Sequence, residues 1–78
     1  MSELAQLRWK CRRGMKELDV VLEGYLATRY QLAGAAEQGA FKALLEMQDP
    51  LLFDYLTGRE RPVSEEERRV IDALRRAP

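Results

Sequence analysis

A single glycine, Gly14, separates two stretches of helical pattern near the start of the chain. Before it, Leu4, Leu7 and Cys11 lie on one helical stripe, and after it the apolar repeat resumes at Met15. Glycine readily adopts the left-handed conformation that ends many helices, so it marks a place where the chain turns. The sequence therefore predicts a helix–glycine–helix corner in which Gly14 is the C-cap of the first helix.

The same combination of caps and apolar stripes predicts three further helices and no strands. Asp49 and Pro50 form the clearest boundary, with Asp49 as an N-cap and Pro50 at the first helical position. Ser64 and Glu67 have the spacing of a capping box at the start of the last helix. The expected fold is all-α, a compact five-helix bundle in a single domain over 1–78. The predicted helices span roughly 3–12, 15–30, 35–48, 50–57 and 65–76.

Composition excludes several kinds of reactive site. The chain has no histidine and one cysteine, so neither a four-ligand zinc site nor a histidine-activated nucleophile is available. Cys11 lies on the apolar stripe, and it is predicted to be a small core residue. Glu17 and Asp19, two residues apart on a helix, point about 200° apart and cannot act together as an acid–base pair. We therefore expect no catalytic residue and no metal site.

Charge and hydropathy limit the partners in the same way. The 13 basic residues balance the 13 acidic ones, so the chain lacks the net basic charge of a nucleic-acid-binding protein. No stretch approaches the roughly 20 apolar residues that cross a membrane. The first residues show no leader pattern, which predicts a cytoplasmic protein.

The charges around Gly14 have two interpretations. Arg12 and Arg13 precede the turn, while Glu17 and Asp19 follow it, and both pairs suit the dipoles of the helix ends they flank. Alternatively the cluster binds a protein, because arginine and tryptophan are common interface anchors and Trp9 lies off the apolar stripe. The residue pattern alone leaves both interpretations open.

Two sequence blocks carry a family resemblance. Arg13-Gly14-Met15-Lys16-Glu17 matches an Arg-Gly-x-x-Glu signature, flanked by Trp9-x-Cys11-Arg12 and by Leu18-Asp19. The second block is Leu44-Leu45-Glu46 followed by Asp49-Pro50-x-Leu52-Phe53-x-x-Leu56. From about Leu7 to Leu56 the chain resembles the succinate dehydrogenase assembly factor 2 family, the bacterial flavinylation factors. Segment 34–39 departs from that family's pattern, being smaller and less acidic.

The resemblance implies an assembly factor or chaperone rather than an enzyme. Such a protein binds the flavoprotein subunit of succinate dehydrogenase, and of fumarate reductase, and promotes covalent attachment of FAD to a histidine of that client. FAD then belongs to the client, the chain binds no cofactor by itself, and it is a monomer when free. The alternative is a regulatory helical module, antitoxin-like or an adaptor, with an unrelated client. The partner-binding residues implied by the signature and its flanks are Arg13, Gly14, Glu17, Trp9, Arg12, Asp19, Asp49 and Pro50.

Overall fold

The computed structural model describes residues 2–76, and within that range the chain is helical without strands. Its helices are α1 (Glu3–Lys10), α2 (Lys16–Thr28), α3 (Ala35–Leu45), α4 (Asp49–Thr57) and α5 (Glu65–Arg76), with a 3-10 turn at Tyr30–Leu32. The predicted all-α bundle is confirmed. Helix α5 packs against α2, α3 and α4, while α1 packs against α2 and α3.

The core is built around Phe41 of α3, which is completely buried. Tyr25 stacks on its ring at a centroid distance of 4.6 Å, and Tyr30 lies tilted against it at 5.6 Å. Aromatic pairs at these distances bury large apolar areas in a chain too short to build a thick core. Further fully enclosed side chains come from α2, α3, α4, α5 and the link after α1: Leu18, Leu22, Leu44, Leu52, Val70, Leu74 and Cys11.

The prediction that Gly14 is the C-cap of the first helix is wrong. Helix α1 ends at Lys10, and Cys11 takes the C-cap position in right-handed geometry. The N–H of Arg12 still bonds the carbonyl of Trp9 at 3.1 Å, which closes α1 with a tight turn before the chain reaches Gly14. Gly14 does have a left-handed backbone, with φ +82°, but it lies in the link between α1 and α2.

The prediction that Asp49 is an N-cap is also wrong. Asp49 is the first residue of α4, and the extended residue Gln48 occupies the N-cap position without a side-chain bond. Pro50 consequently sits second in the helix. The carboxylate of Asp49 bonds the side chain of Arg13 instead of a helix N–H. A tertiary partner has replaced the local cap.

Besides α1, which ends at Lys10 rather than residue 12, two helices are shorter than the pattern predicts. Helix α2 stops at Thr28 and passes into the 3-10 turn, whereas the pattern favours continuity to residue 30. Helix α3 stops at Leu45 rather than residue 48. The carbonyls of Leu45 and Met47 accept hydrogen bonds from Arg13, which satisfies groups that a longer helix would have used.

Candidate functional site

One carboxylate accepts hydrogen bonds from the backbone of the link between α1 and α2. Asp19, in the first turn of α2, accepts the backbone N–H of Arg13 at 2.8 Å and that of Gly14 at 3.3 Å. A Cβ placed on Gly14 would meet no atom of the described residues within 4 Å. Glycine is therefore required at this position by its positive φ and not by crowding within the chain. The space above Gly14 is open for a partner.

Arg13 directs its guanidinium into the protein, and only 11% of its side chain is exposed. Its Nε donates to the Lys10 carbonyl at 3.1 Å, at the end of α1. Its Nη1 donates to the Met47 carbonyl at 2.6 Å and to Asp49 Oδ1 at 3.0 Å, and its Nη2 donates to the Leu45 carbonyl. The five-donor fork of arginine suits such a junction, where one side chain joins the end of α1 to the α3–α4 turn.

A second ionic contact crosses the same junction on the outside. Lys10 Nζ lies 2.7 Å from Glu46 Oε2, and both side chains are at least half exposed. The hydrogen bond from Lys10 lowers the pKa of Glu46. Exposed pairs of this kind stabilise a fold little, so the pair mainly orients the surface beside Arg13. Sequence reasoning missed both residues, since no local pattern connects the end of α1 with the end of α3.

The outward part of the corner carries the remaining predicted residues. Trp9 is 71% exposed, and the guanidinium carbon of Arg12 lies 5.9 Å from its ring centroid, within cation–π distance. Glu17 and Pro50 are exposed as well. Glu17 has no hydrogen-bond or ion-pair partner among the side chains of residues 2–76.

The eight predicted site residues thus divide into two groups. Arg13, Asp19 and Asp49 are joined by bonds within the chain, and Asp19 also fixes the backbone at Gly14. The structure brings Trp9 and Arg12 together, and it leaves Glu17 and Pro50 outside this bonded cluster. We call the second group the exposed corner, which consists of Trp9, Arg12, Gly14, Glu17 and Pro50.

The single thiol of the chain is not exposed at this site. Cys11 is fully buried beneath the corner, and burial raises the pKa of its thiol to about 11. Within residues 2–76 no three histidine, cysteine, aspartate or glutamate side chains are arranged to hold a metal ion. In the same range no helix has both the length and the apolar character needed to cross a membrane. The exposed corner presents an aromatic ring, a cation, an anion and bare backbone. It lies next to the hydrogen bonds made by Arg13 and Asp19.

Comparisons with known proteins agree on one family. The Sdh5 family model, described as "Flavinator of succinate dehydrogenase", matches residues 5–78. The FAD assembly factor SdhE of Coxiella burnetii is 42% identical over 66 residues, covering 85% of this chain and 80% of the relative. The protein of the same name in Methylococcus capsulatus is 50% identical over 62 residues, covering 80% and 75%. That of Legionella pneumophila strain Lens is 43% identical over 63 residues, covering 81% and 80%.

Proposed function

The chain belongs to the family of flavinators of succinate dehydrogenase, and on that premise we propose that it binds the succinate dehydrogenase flavoprotein subunit and promotes covalent FAD attachment there. The observation that carries the proposal is the exposed corner, whose backbone at Gly14 is fixed by the Asp19 carboxylate beside the bond from Arg13 to Asp49. A rigid surface loses little conformational entropy on binding, so more of the contact energy is retained as affinity.

The corner has the composition of an interface anchor. Trp9 and Arg12 are the residue types that most often dominate binding energy, and their cation–π contact brings them together on the surface. Gly14 lets a partner backbone approach closely because it has no side chain. Glu17 adds an exposed carboxylate in the first turn of α2, available to a donor on the client.

The proposed mechanism is positioning, without a reacting group from this chain. The chain has no histidine, so the residue that becomes bonded to the flavin belongs to the client. Holding reactants in near-attack geometry lowers a barrier by about 7–11 kcal/mol in favourable cases. No strand–turn–helix phosphate loop occurs within residues 2–76, and in this mechanism FAD is the client's cofactor.

Three finer points belong to the same proposal. The flavoprotein subunit of fumarate reductase is a second client, because its covalent flavin poses the same positioning problem. The free protein is a monomer, and it acts in the cytoplasm. Each point is open to direct measurement.

Reconstitution tests the function. Purified apo flavoprotein subunit is incubated with FAD, with and without the chain, and covalent flavin is read by in-gel fluorescence. The expected result is a clear increase with the wild-type protein, a weak one with Glu17→Ala, and a full one with the control Glu60→Ala, which alters an exposed carboxylate between α4 and α5. An unchanged flavin signal with the wild-type chain would exclude the assembly role and favour a regulatory module with an unrelated client.

A further inference from the structure

The exposed corner is too small to be the whole contact surface. A stable protein–protein interface buries about 800 Å² on each side and involves some 20 to 30 residues. The surface of the described chain measures 5101 Å², so an interface of that size covers roughly a sixth of it. The exposed corner has only five residues. If the proposed function holds, the client therefore contacts neighbouring surface too.

The outer face of α2 continues directly from the corner. Beginning at Glu17, helical steps of three and four residues place Val20, Gly24 and Thr28 on one face. Val20 is 55% exposed, and Leu32, which ends the 3-10 turn, is 87% exposed. Large apolar side chains at such exposure, in line with a proposed contact, indicate a binding surface.

A groove of about 550 Å³ lies along this face, between α2 and α5. Val20 and Gly24 form its α2 side together with Thr28, while Ala73 and Arg76 contribute from α5. Its volume is within the range that accommodates several side chains of a bound segment. A groove between two helices is a common seat for an amphipathic partner segment.

Gly24 has no explanation within the described chain. Glycine in a helix interior is destabilising relative to alanine. A Cβ added to Gly24 would meet nothing within 4 Å among residues 2–76, so no neighbouring element there requires its absence. Bare backbone in the lining of the groove instead leaves room for a partner to approach closely.

The charges of the groove specify the occupant further. Arg29 and Arg76 line it, and none of its lining residues in the described part of the chain is an aspartate or glutamate. Arg29 Nε already donates to Glu37 at 3.1 Å, so Arg76 is the cation that the groove offers to a new carboxylate. A second copy of the same face would bring guanidinium groups together, which disfavours self-association. We propose that the flavoprotein subunit, besides contacting the exposed corner, docks an apolar segment flanked by a carboxylate into this groove between α2 and α5.

The substitution Gly24→Gln separates binding from stability. Glutamine fills the groove, but it favours a helix more than glycine does, so Tm is expected to rise by about 4 °C. Affinity for the purified apo flavoprotein subunit, measured by titration calorimetry, is expected to fall about tenfold. The matched control is Gly39→Gln in α3, where the added Cβ is equally unobstructed and lies outside this groove. It is expected to raise Tm without altering affinity.

A second pair of variants tests the apolar contact without adding bulk. Leu32→Ser is expected to weaken client binding about fivefold, because it removes an exposed apolar side chain that lines the groove. Val63→Ser alters a residue that is 94% exposed outside the groove, and it is expected to leave affinity unchanged.

The corner variant Glu17→Ala distinguishes the two levels of the proposal. Weakened binding by Glu17→Ala together with wild-type affinity for Gly24→Gln and Leu32→Ser would overturn the groove contact and leave the proposed function standing. No binding of the flavoprotein subunit by the wild-type chain would overturn the proposed function, and the groove contact with it.

Discussion

The guanidinium of Arg13 lies 3.0 Å from the carboxylate of Asp49, across 36 residues of sequence. The first block of the family signature is thereby bonded to the second, and the bond is partly buried, with 11% of the Arg13 side chain and 33% of the Asp49 side chain exposed. Glu17, the last residue of the same Arg-Gly-x-x-Glu pattern, is exposed instead. Within one short signature, Arg13 is therefore expected to stabilise the fold and Glu17 to contact a partner. Variants of Arg13 should lose stability, whereas variants of Glu17 should lose function.

Arg13→Ala is expected to lower the free energy of unfolding by about 2–3 kcal/mol. The change leaves the Leu45 and Met47 carbonyls and the Asp49 carboxylate without their donor, and bonds to charged groups are among the stronger ones. Chemical denaturation followed by circular dichroism measures the loss. Arg12→Ala is the control, since Arg12 is exposed and should cost little. Equal stability of the two variants would contradict the bracing role of Arg13.

Gly14→Ala and Gly14→Arg are expected to lose the same stability and differ in function. Both place a side chain on a backbone with φ +82°, which costs roughly 1–2 kcal/mol, and no atom of the described residues lies within 4 Å to add a clash. Only the long, charged arginine obstructs a client above the corner. Thermal melting measures the loss of stability, and covalent flavin on the client measures the loss of function. Equal loss of flavinylation would indicate that the backbone conformation, and not the added bulk, is what matters.

Glu17→Ala is expected to reduce flavinylation while leaving Tm within about 2 °C of wild type. Its carboxylate is exposed in the first turn of α2, where a charge contributes only a few tenths of a kcal/mol. Lys16→Ala, one residue earlier and also exposed, is the neighbouring control. A fall in Tm proportional to the loss of flavinylation would assign Glu17 a structural task.

Acidification is expected to weaken the contact between α2 and α3. Glu37 accepts hydrogen bonds from the Tyr25 hydroxyl and from Arg29 Nε, and the Tyr25 bond is the main cause of its lowered pKa. A carboxylate with a lowered folded-state pKa stabilises the fold above its ordinary value of 4.5, and this contribution disappears as pH falls through the folded value. Glu37→Gln should therefore cost about 1 kcal/mol at pH 7 and progressively less as the pH falls below 4.5. Denaturation of both proteins across this range measures the difference, and a constant difference would contradict the assignment.

Cys11 is expected to resist thiol reagents while the protein is folded. Burial raises the thiol pKa from 9.0 to about 11, which alone lowers the thiolate fraction at pH 8 about a hundredfold. Because the protonated thiol is favoured in the folded state, its contribution to stability declines as pH rises from 9.0 toward 11. The rate of reaction with a disulfide reagent, measured with and without denaturant, gives the ratio of Cys11 reactivity in the unfolded and folded protein. Fast labelling of the native protein would show that the link beneath the corner opens readily.

Local patterns predict the helices because caps and apolar stripes act within a few residues. Leu18 and Leu22 follow Met15 by three and seven residues, which continues its apolar repeat at helical spacing, and both are completely buried. The prediction for Asp49 is wrong for the opposite reason, since its carboxylate has a partner far away in sequence. The contact between Lys10 and Glu46 likewise joins residues that are far apart in sequence. The exposure of Val20 and Leu32 depends on where α5 packs. Tertiary neighbours decide these features, and no short window of sequence contains them.

The placement of Trp9 determines what the intrinsic fluorescence of this protein can report. It is the sole tryptophan, and it is 71% exposed in the folded chain. Its indole is already largely in water, so unfolding should change the emission wavelength little. Covering by a client removes that water and should shift the emission to the blue. The emission wavelength of Trp9 should therefore report client binding at the exposed corner and change little when the protein unfolds.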